Sequence, residues 1–188
     1  MTRQLLGFKR QKTAQRGVAA VEFAIVAMLF FTMLFGAMEF GRLLYIWNTV
    51  QEVSRNAARQ AVVTDFTSAS ARAAIKQSAV FRVDAGAMPA APEITDSMVK
   101  ITYLNAAGNV ATPMPLSPGD NIAACLDAAR VSECIRFVET CVSTGSDCTP
   151  GQSVLYAPMV NLFSFLAIGI PMSTVRMPAE SLGFIPDM

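Results

Sequence analysis

Four cysteines carry the most definite chemistry in this chain, and all of them lie in its C-terminal half. Cys125, Cys134, Cys141 and Cys148 follow one another at intervals of 9, 7 and 7 residues. An even number of cysteines in one region is typical of disulfide bonds, and four cysteines allow three pairings. A zinc site is disfavoured because no pair has the short spacing of zinc ligands and the chain has no histidine. We therefore expect two disulfides, an oxidising compartment and no metal.

The local pattern favours one of the three pairings. In Glu133–Val142 the residues Ile135, Phe137 and Glu139 alternate with Arg136, Val138 and Thr140, which predicts a strand. Cys134 and Cys141 then differ in parity and point to opposite faces of that strand, which disfavours a bond between them. We prefer Cys125 with Cys134 and Cys141 with Cys148.

The absence of histidine excludes much of catalytic chemistry. Histidine-activated serine or cysteine nucleophiles, histidine metal sites and histidine acid–base catalysis are all impossible. The sequence also has no Gly-rich phosphate loop and no cluster of metal-ligating residues. We therefore expect a protein that is not an enzyme and needs no cofactor. No basic or acidic tract indicates binding to nucleic acid.

A long apolar segment near the N-terminus predicts one membrane-spanning helix. The 21 residues Val18–Met38 contain a single charged residue, Glu22, and about 20 apolar residues are enough to cross a hydrocarbon core. Five basic residues and no acidic residue occur in the first sixteen positions. The positive-inside rule therefore places the N-terminus in the cytoplasm and everything after about residue 40 outside. A cleaved signal peptide is the alternative, but the apolar run is long and Phe35 stands where a small residue is needed.

Glu22 needs an explanation, because a carboxylate at mid-membrane costs about 2.5–3.5 kcal/mol. One interpretation is that it lies one turn inside the span and reaches the cytoplasmic headgroups. Another follows from its neighbours: the string Arg16–Ala24 (RGVAAVEFA) resembles the processing site of type IV prepilins, more narrowly that of TadE-like proteins of the tight-adherence (Flp-type) pilus system. The segments Phe35–Tyr45 and Ala57–Val63 are similar to those that follow this site in the family.

The resemblance implies a minor pseudopilin and assigns roles to three residues. A prepilin peptidase would cut between Gly17 and Val18, which leaves Glu22 fifth in the mature chain. A carboxylate on a neighbouring subunit can then neutralise the new ammonium at Val18 inside a bundle of apolar helices. The implied partners are the prepilin peptidase, other pilin or pseudopilin subunits, the inner-membrane assembly platform and the lipid bilayer. The competing hypothesis is an uncleaved, membrane-anchored periplasmic binding or sensor domain.

We expect an α+β fold in three regions: a cytoplasmic basic leader (1–17), a transmembrane helix and stalk (18–63), and a head domain (64–188) in the periplasm or on the cell surface. The protein would thus be a single-pass protein of the bacterial inner membrane. Neither Gly nor Pro interrupts residues 43–63, and apolar residues recur there at spacings of three and four. This pattern predicts one continuous helix of about 68 Å. The alternative is a span followed by a separate surface helix.

The head is expected to be small, pilin-like and to contain antiparallel strands. The pattern predicts a second helix over Ala69–Val80 capped by Ser68 or Thr67, a linker around Pro89 and Pro92, and further elements at 98–104 (strand), 122–130 (helix), 133–142 (strand) and 172–177 (strand). A second apolar stretch, Val160–Met172, is too short and interrupted to cross a membrane. It is interpreted as core of the head, or alternatively as a patch on the membrane or on a partner subunit.

Overall fold

One helix of 46 residues, α1 (Arg16–Ala61), is the longest element of the computed structural model, which describes residues 16–185. At 1.5 Å per residue it is about 69 Å long. The helix continues through residues 43–61 because no Gly or Pro interrupts them. The expectation of a continuous helix is confirmed, and the alternative of a separate surface helix is wrong.

The two halves of α1 have opposite surroundings. The N-terminal half, up to Met38, exposes nearly all of its large apolar side chains. The C-terminal half buries one face in the head, through a set of apolar residues at helical spacing: Leu43, Ile46, Val50, Val53, Ala57 and Ala61. The same helix is therefore an uncovered apolar rod at one end and the central core element at the other.

The head adds two helices and five strands to α1. In chain order these are α2 (Ala69–Ala79), β1 (Ala87–Met88), β2 (Ala91–Thr95), β3 (Val99–Leu104), α3 (Pro118–Leu126), β4 (Phe137–Val142) and β5 (Val175–Pro178). Short 3-10 helices occupy Asp96–Met98, Ala128–Arg130 and Asn161–Leu166. Helices and antiparallel strands thus form the expected α+β fold.

The larger sheet has the order β3-β4-β5, and both of its strand pairs are antiparallel. Val99 pairs with Val142 and Leu104 with Phe137, so β3 and β4 match along their whole length. One face of this sheet packs on the C-terminal half of α1. The buried hydroxyl of Thr140 on β4 donates a hydrogen bond of 2.7 Å to the carbonyl oxygen of Ser54.

Several local expectations agree with the structure. Ser68 caps α2 by accepting a hydrogen bond from the backbone N–H of Ala71. The predicted helix at 122–130 begins earlier, at Pro118, because Ser117 accepts a bond from the N–H of Asp120 and proline suits the first turn. The two later strands are shorter than predicted and begin at Phe137 and Val175.

The predicted linker around Pro89 and Pro92 is wrong. These residues belong to an antiparallel hairpin of β1 and β2, turned at Ala90, which has a φ of 59°. Proline is compatible with this hairpin because a two-stranded sheet has only edge strands, where a missing N–H leaves no central ladder bond unmade. The hairpin packs beside α1, where it takes part in the site described next.

Candidate functional site: the two ends of the apolar helix

The residues expected to take part in processing and assembly lie in the first two turns of α1. Gly17, Val18 and Glu22 are all exposed, and a Cβ added at Gly17 would meet no atom within 4 Å. Among the side chains that the structure describes, none forms a hydrogen bond or an ion pair with Glu22. The arrangement leaves both the Gly17–Val18 bond and the carboxylate accessible from outside the molecule.

A second glutamate, Glu39, lies just after the apolar N-terminal half of α1, about 26 Å along the helix axis from Glu22. Its side chain is only 3% exposed. It accepts hydrogen bonds from the Tyr156 hydroxyl at 2.5 Å and from the backbone N–H of Met159 at 3.0 Å. Arg42, one turn further on, approaches it to 3.8 Å. The carboxylate of Glu39 therefore finds its hydrogen-bond donors within its own chain, as a buried carboxylate requires.

Arg42 joins three parts of the head to the helix. Its guanidinium donates to both carboxylate oxygens of Glu93 on β2, at 2.9 and 2.8 Å. It also donates to the carbonyl oxygens of Ala90 at 3.1 Å and Ala157 at 2.8 Å. Its carbon Cζ lies 5.0 Å from the centre of the Tyr156 ring. Both bonds to Glu93 start from one nitrogen, Nη2, and the pair is mostly buried, so Arg42 and Glu93 form a charge-assisted contact with little exposure to water.

The electrostatics of this cluster keep Tyr156 neutral. Burial, together with the hydrogen bond to Glu39, raises the pKa of Tyr156 to about 12. The phenol is thus a hydrogen-bond donor at neutral pH. The cluster of Glu39, Arg42, Glu93 and Tyr156 joins the head to the helix.

Sequence reasoning did not find this cluster. One local signal was available: Glu39 and Arg42 follow the apolar segment at a spacing of three, which places them on one face of a helix. Their partners Glu93 and Tyr156 are 51 and 117 residues away from them. No pattern in the sequence indicates those contacts.

The four cysteines form two disulfides in the structure, Cys125 with Cys134 and Cys141 with Cys148. Their Cα atoms are 4.8 and 5.7 Å apart, respectively. This is the pairing preferred from the strand pattern. Residues 16–185 contain no group of three or more His, Cys, Asp or Glu side chains that could hold a metal ion.

The second apolar stretch forms a loop beside the helix where α1 emerges from its apolar half. We call residues 155–170 the exit loop; its base is the bridge between Leu155 and Gly169. Phe163 and Ile170 are buried, but Met159, Leu162 and Phe165 are exposed. Within Val160–Met172 the exposed large apolar residues are Leu162, Phe165 and Ile168, while Leu166 packs against the core. The interpretation of this stretch as core of the head is therefore correct for part of it and wrong for its exposed side.

Comparison with known protein families gives a match that lies within α1. Residues 17–59 match the family described as TadE-like protein. The long helix of this chain is TadE-like. The match confirms the resemblance seen in the sequence and runs from Gly17 almost to the end of α1, so the head lies outside it. No curated protein and no solved structure gives a significant match to the chain.

The matched segment lies within α1 and covers less than a quarter of the chain. The segment Gly17–Ala61 is long and apolar enough to cross a membrane, which fits a single-pass anchor. The TadE-like segment also contains Glu22 and Glu39, so the match covers both ends of the apolar half.

Proposed function

We propose that this protein is a minor pilin or pseudopilin subunit that takes part in assembly of Flp/Tad-type pili after processing by a prepilin peptidase. The observation that carries the proposal is the uncovered N-terminal half of the TadE-like helix, in which Glu22 has no partner among the described side chains. A monomer gains nothing from a carboxylate in an apolar helix, whereas a helix bundle can use it to fix the position of a neighbour.

The proposed processing site is the bond between Gly17 and Val18. A peptidase must open the first helical turn to reach this bond, and glycine lowers the cost because it is about 1 kcal/mol less favourable than alanine in a helix. The open space around Gly17 leaves room for the enzyme. Residues 1–17 would then be the cytoplasmic leader, 18–63 the transmembrane helix and stalk, and 64–188 the head.

The proposed location is the bacterial inner membrane, with the N-terminus in the cytoplasm and the head in the periplasm or on the cell surface. The basic residues before α1 support this orientation by the positive-inside rule. The two disulfides support it as well, because they form and persist in an oxidising compartment such as the periplasm.

The proposed role of Glu22 is to accept the N-terminal ammonium of a neighbouring subunit. The ammonium that cleavage creates at Val18 lies at the membrane end of the helix, and two such charges are tolerated in an apolar bundle only when they pair. The proposed partners are therefore other pilin or pseudopilin subunits and the inner-membrane assembly platform, reached through the exposed half of α1.

The test is a pair of glycine substitutions in the same helix. Gly17→Leu should block cleavage and leave a chain heavier by residues 1–17 in the inner membrane. Gly41→Leu is the matched control, because Gly41 also lies in α1 with no atom within 4 Å of an added Cβ. It should be cleaved like the wild type. Intact-mass measurement of membrane-purified protein reads out both. If the wild-type chain retains residues 1–17, the proposal fails in favour of an uncleaved anchored binding domain.

A further inference from the structure

The exit loop runs along α1 toward the apolar half of the helix. Its backbone carbonyl at Ala157 accepts a bond from Arg42, and its N–H at Met159 donates to Glu39. Further along the loop, a Cβ atom added at Gly36 would lie 3.4 Å from the Phe163 ring. On α1 the three contacts lie at Arg42, Glu39 and Gly36, each three residues nearer the N-terminus than the one before. The loop therefore runs about 9 Å along the helix toward its N-terminus.

The loop then returns to the head as a hairpin-like excursion. The N–H of Tyr156 donates to the carbonyl of Ile168 at 2.9 Å, and that of Ile170 to the carbonyl of Val154 at 2.8 Å. The tip is the 3-10 helix Asn161–Leu166. Phe163 points toward α1, while Phe165 is 74% exposed.

The composition of the loop suits an apolar medium. No charged residue occurs between Cys148 and Arg176. Within the tip, the N–H of Phe163 donates to the carbonyl of Val160 and that of Ala167 to the carbonyl of Ser164. Such internal bonds reduce the number of backbone groups that would lose water on entering a membrane.

We propose that the tip of the exit loop inserts into the outer leaflet of the bilayer beside α1, as a second contact between the head and the membrane. The proposal rests on α1 spanning the membrane. Gly36 lies within the apolar segment 18–38, so whatever surrounds Phe35 and Met38 also surrounds the tip. Gly36 lies about 3 Å along the helix inside the end of that segment at Met38, which places the tip at the boundary of headgroups and acyl chains, where interfacial helices bury their apolar faces.

Lipid is the occupant that this geometry favours over a protein partner. Met159 and Val160 of the loop line one groove together with Phe35 and Met38 of α1, so the apolar surface of the loop adjoins the exposed apolar surface of the helix. The buried cluster at Arg42 fixes the loop to the helix, so the tip cannot withdraw without breaking bonds to Ala157 and Met159. Two membrane contacts would hold the head in one orientation relative to the membrane plane.

The experiment uses the full chain in vesicles of phosphatidylethanolamine and phosphatidylglycerol, at a low ratio of protein to lipid. An environment-sensitive fluorophore is attached to Phe165→Cys. Because the described residues contain no free cysteine, the introduced thiol is the one that reacts. The matched control is Leu116→Cys, an apolar residue that is 88% exposed in the head before α3. Phe30→Cys, in the exposed half of α1, reports on the span itself.

Lipids with nitroxide-labelled acyl chains should quench the probe at position 165 severalfold more than the probe at 116, and its emission should be shifted to the blue. Aqueous iodide should give the reverse order. Quenching by iodide equal to that at position 116, with position 30 still quenched by lipid, would overturn the loop proposal alone. Shielding of position 165 that appears only at high protein density would overturn it in favour of a protein partner. Iodide quenching at position 30 would refute the span and the loop together.

Discussion

Glu22 and Glu39 lie on the same helix, one near each end of its apolar half, and their surroundings are opposite. Glu39 is buried and accepts two hydrogen bonds from distant parts of its own chain. Glu22 is exposed, and no described side chain forms a hydrogen bond or an ion pair with it. The difference shows which surface of α1 the molecule completes by itself and which surface it leaves for something else. The head covers the C-terminal half, and the uncovered N-terminal half is the surface that we propose for lipid and neighbouring subunits.

The largest effect on stability should come from removing the cation between the buried carboxylates. Arg42→Ala leaves Glu93 without its buried cation, and loss of one member of a buried pair costs about 3–5 kcal/mol. Denaturant unfolding of the detergent-solubilised protein, followed by the fluorescence of Trp47, measures this loss. Arg176→Ala is the control, since its pair with Glu139 is 47% exposed on the arginine side and should be worth less than about 1 kcal/mol. Equal losses in the two variants would contradict the assignment of the buried cluster as the anchor of the head.

The same comparison can be made with one residue type in the two halves of α1. Ile46 is completely buried in the head, and Ile46→Ala should destabilise it by about 2–5 kcal/mol. Ile25 is 56% exposed, and Ile25→Ala should leave the unfolding of the head unchanged. The measurement is the denaturant midpoint of each variant against the wild type. A clear loss of head stability in Ile25→Ala would show that the two halves are not independent.

A smaller effect is expected from Tyr156→Phe, which removes one of the hydrogen bonds to Glu39. The carboxylate keeps the N–H of Met159 and the nearby Arg42, so the cost should be about 1–2 kcal/mol. This substitution should also change the alkaline stability. The pKa of Tyr156 is raised to about 12 in the folded protein, whereas an unfolded tyrosine has a pKa of about 10.

The folded state therefore holds the phenolic proton more tightly, and its stabilising effect is complete below pH 10 and lost as the pH rises from about 10 to 12. Tyr156→Phe should show a shallower loss in that range. A residual loss should remain, because burial also raises the pKa of Tyr103 to about 12. Unfolding curves at stepped pH measure both slopes. An unchanged slope in the variant would mean that Tyr156 does not titrate with the unfolding of the head.

Local features of the fold could be predicted from the sequence because short-range rules govern them. The length of α1 follows from an uninterrupted helical pattern, and the start of α2 from the cap at Ser68. The preferred pairing of cysteines is the one that the structure contains, but Cys134 lies before β4, which begins at Phe137, so parity along one strand does not explain it. In the candidate site, Gly17 and Glu22 could be named because their motif is contiguous with the apolar segment.

The rest of the site depends on contacts between distant segments. Tyr156 reaches Glu39 across 117 residues, and nothing in either local sequence encodes the approach. The exit loop has the composition of a core segment, and only its three contacts with α1 show that it runs along the helix instead. The β1–β2 hairpin was missed because its two prolines are typical of a linker.

The central claim is that Glu22 meets the N-terminal ammonium of a neighbouring subunit. A membrane-permeant carbodiimide would join a carboxylate and an amine in direct contact as an amide, while the carbodiimide takes up the elements of water and leaves as a urea. In membranes that contain the assembled system, this contact predicts a covalent dimer. Peptide mapping should find Glu22 linked to the Val18 amine, or to the N-terminal amine of another pilin. Dilution of the protein into detergent before the reaction should abolish it. A link confined to one chain, or a Glu22 that reacts with no neighbour in the assembled membrane, would contradict the proposed pairing of Glu22 with a neighbouring subunit.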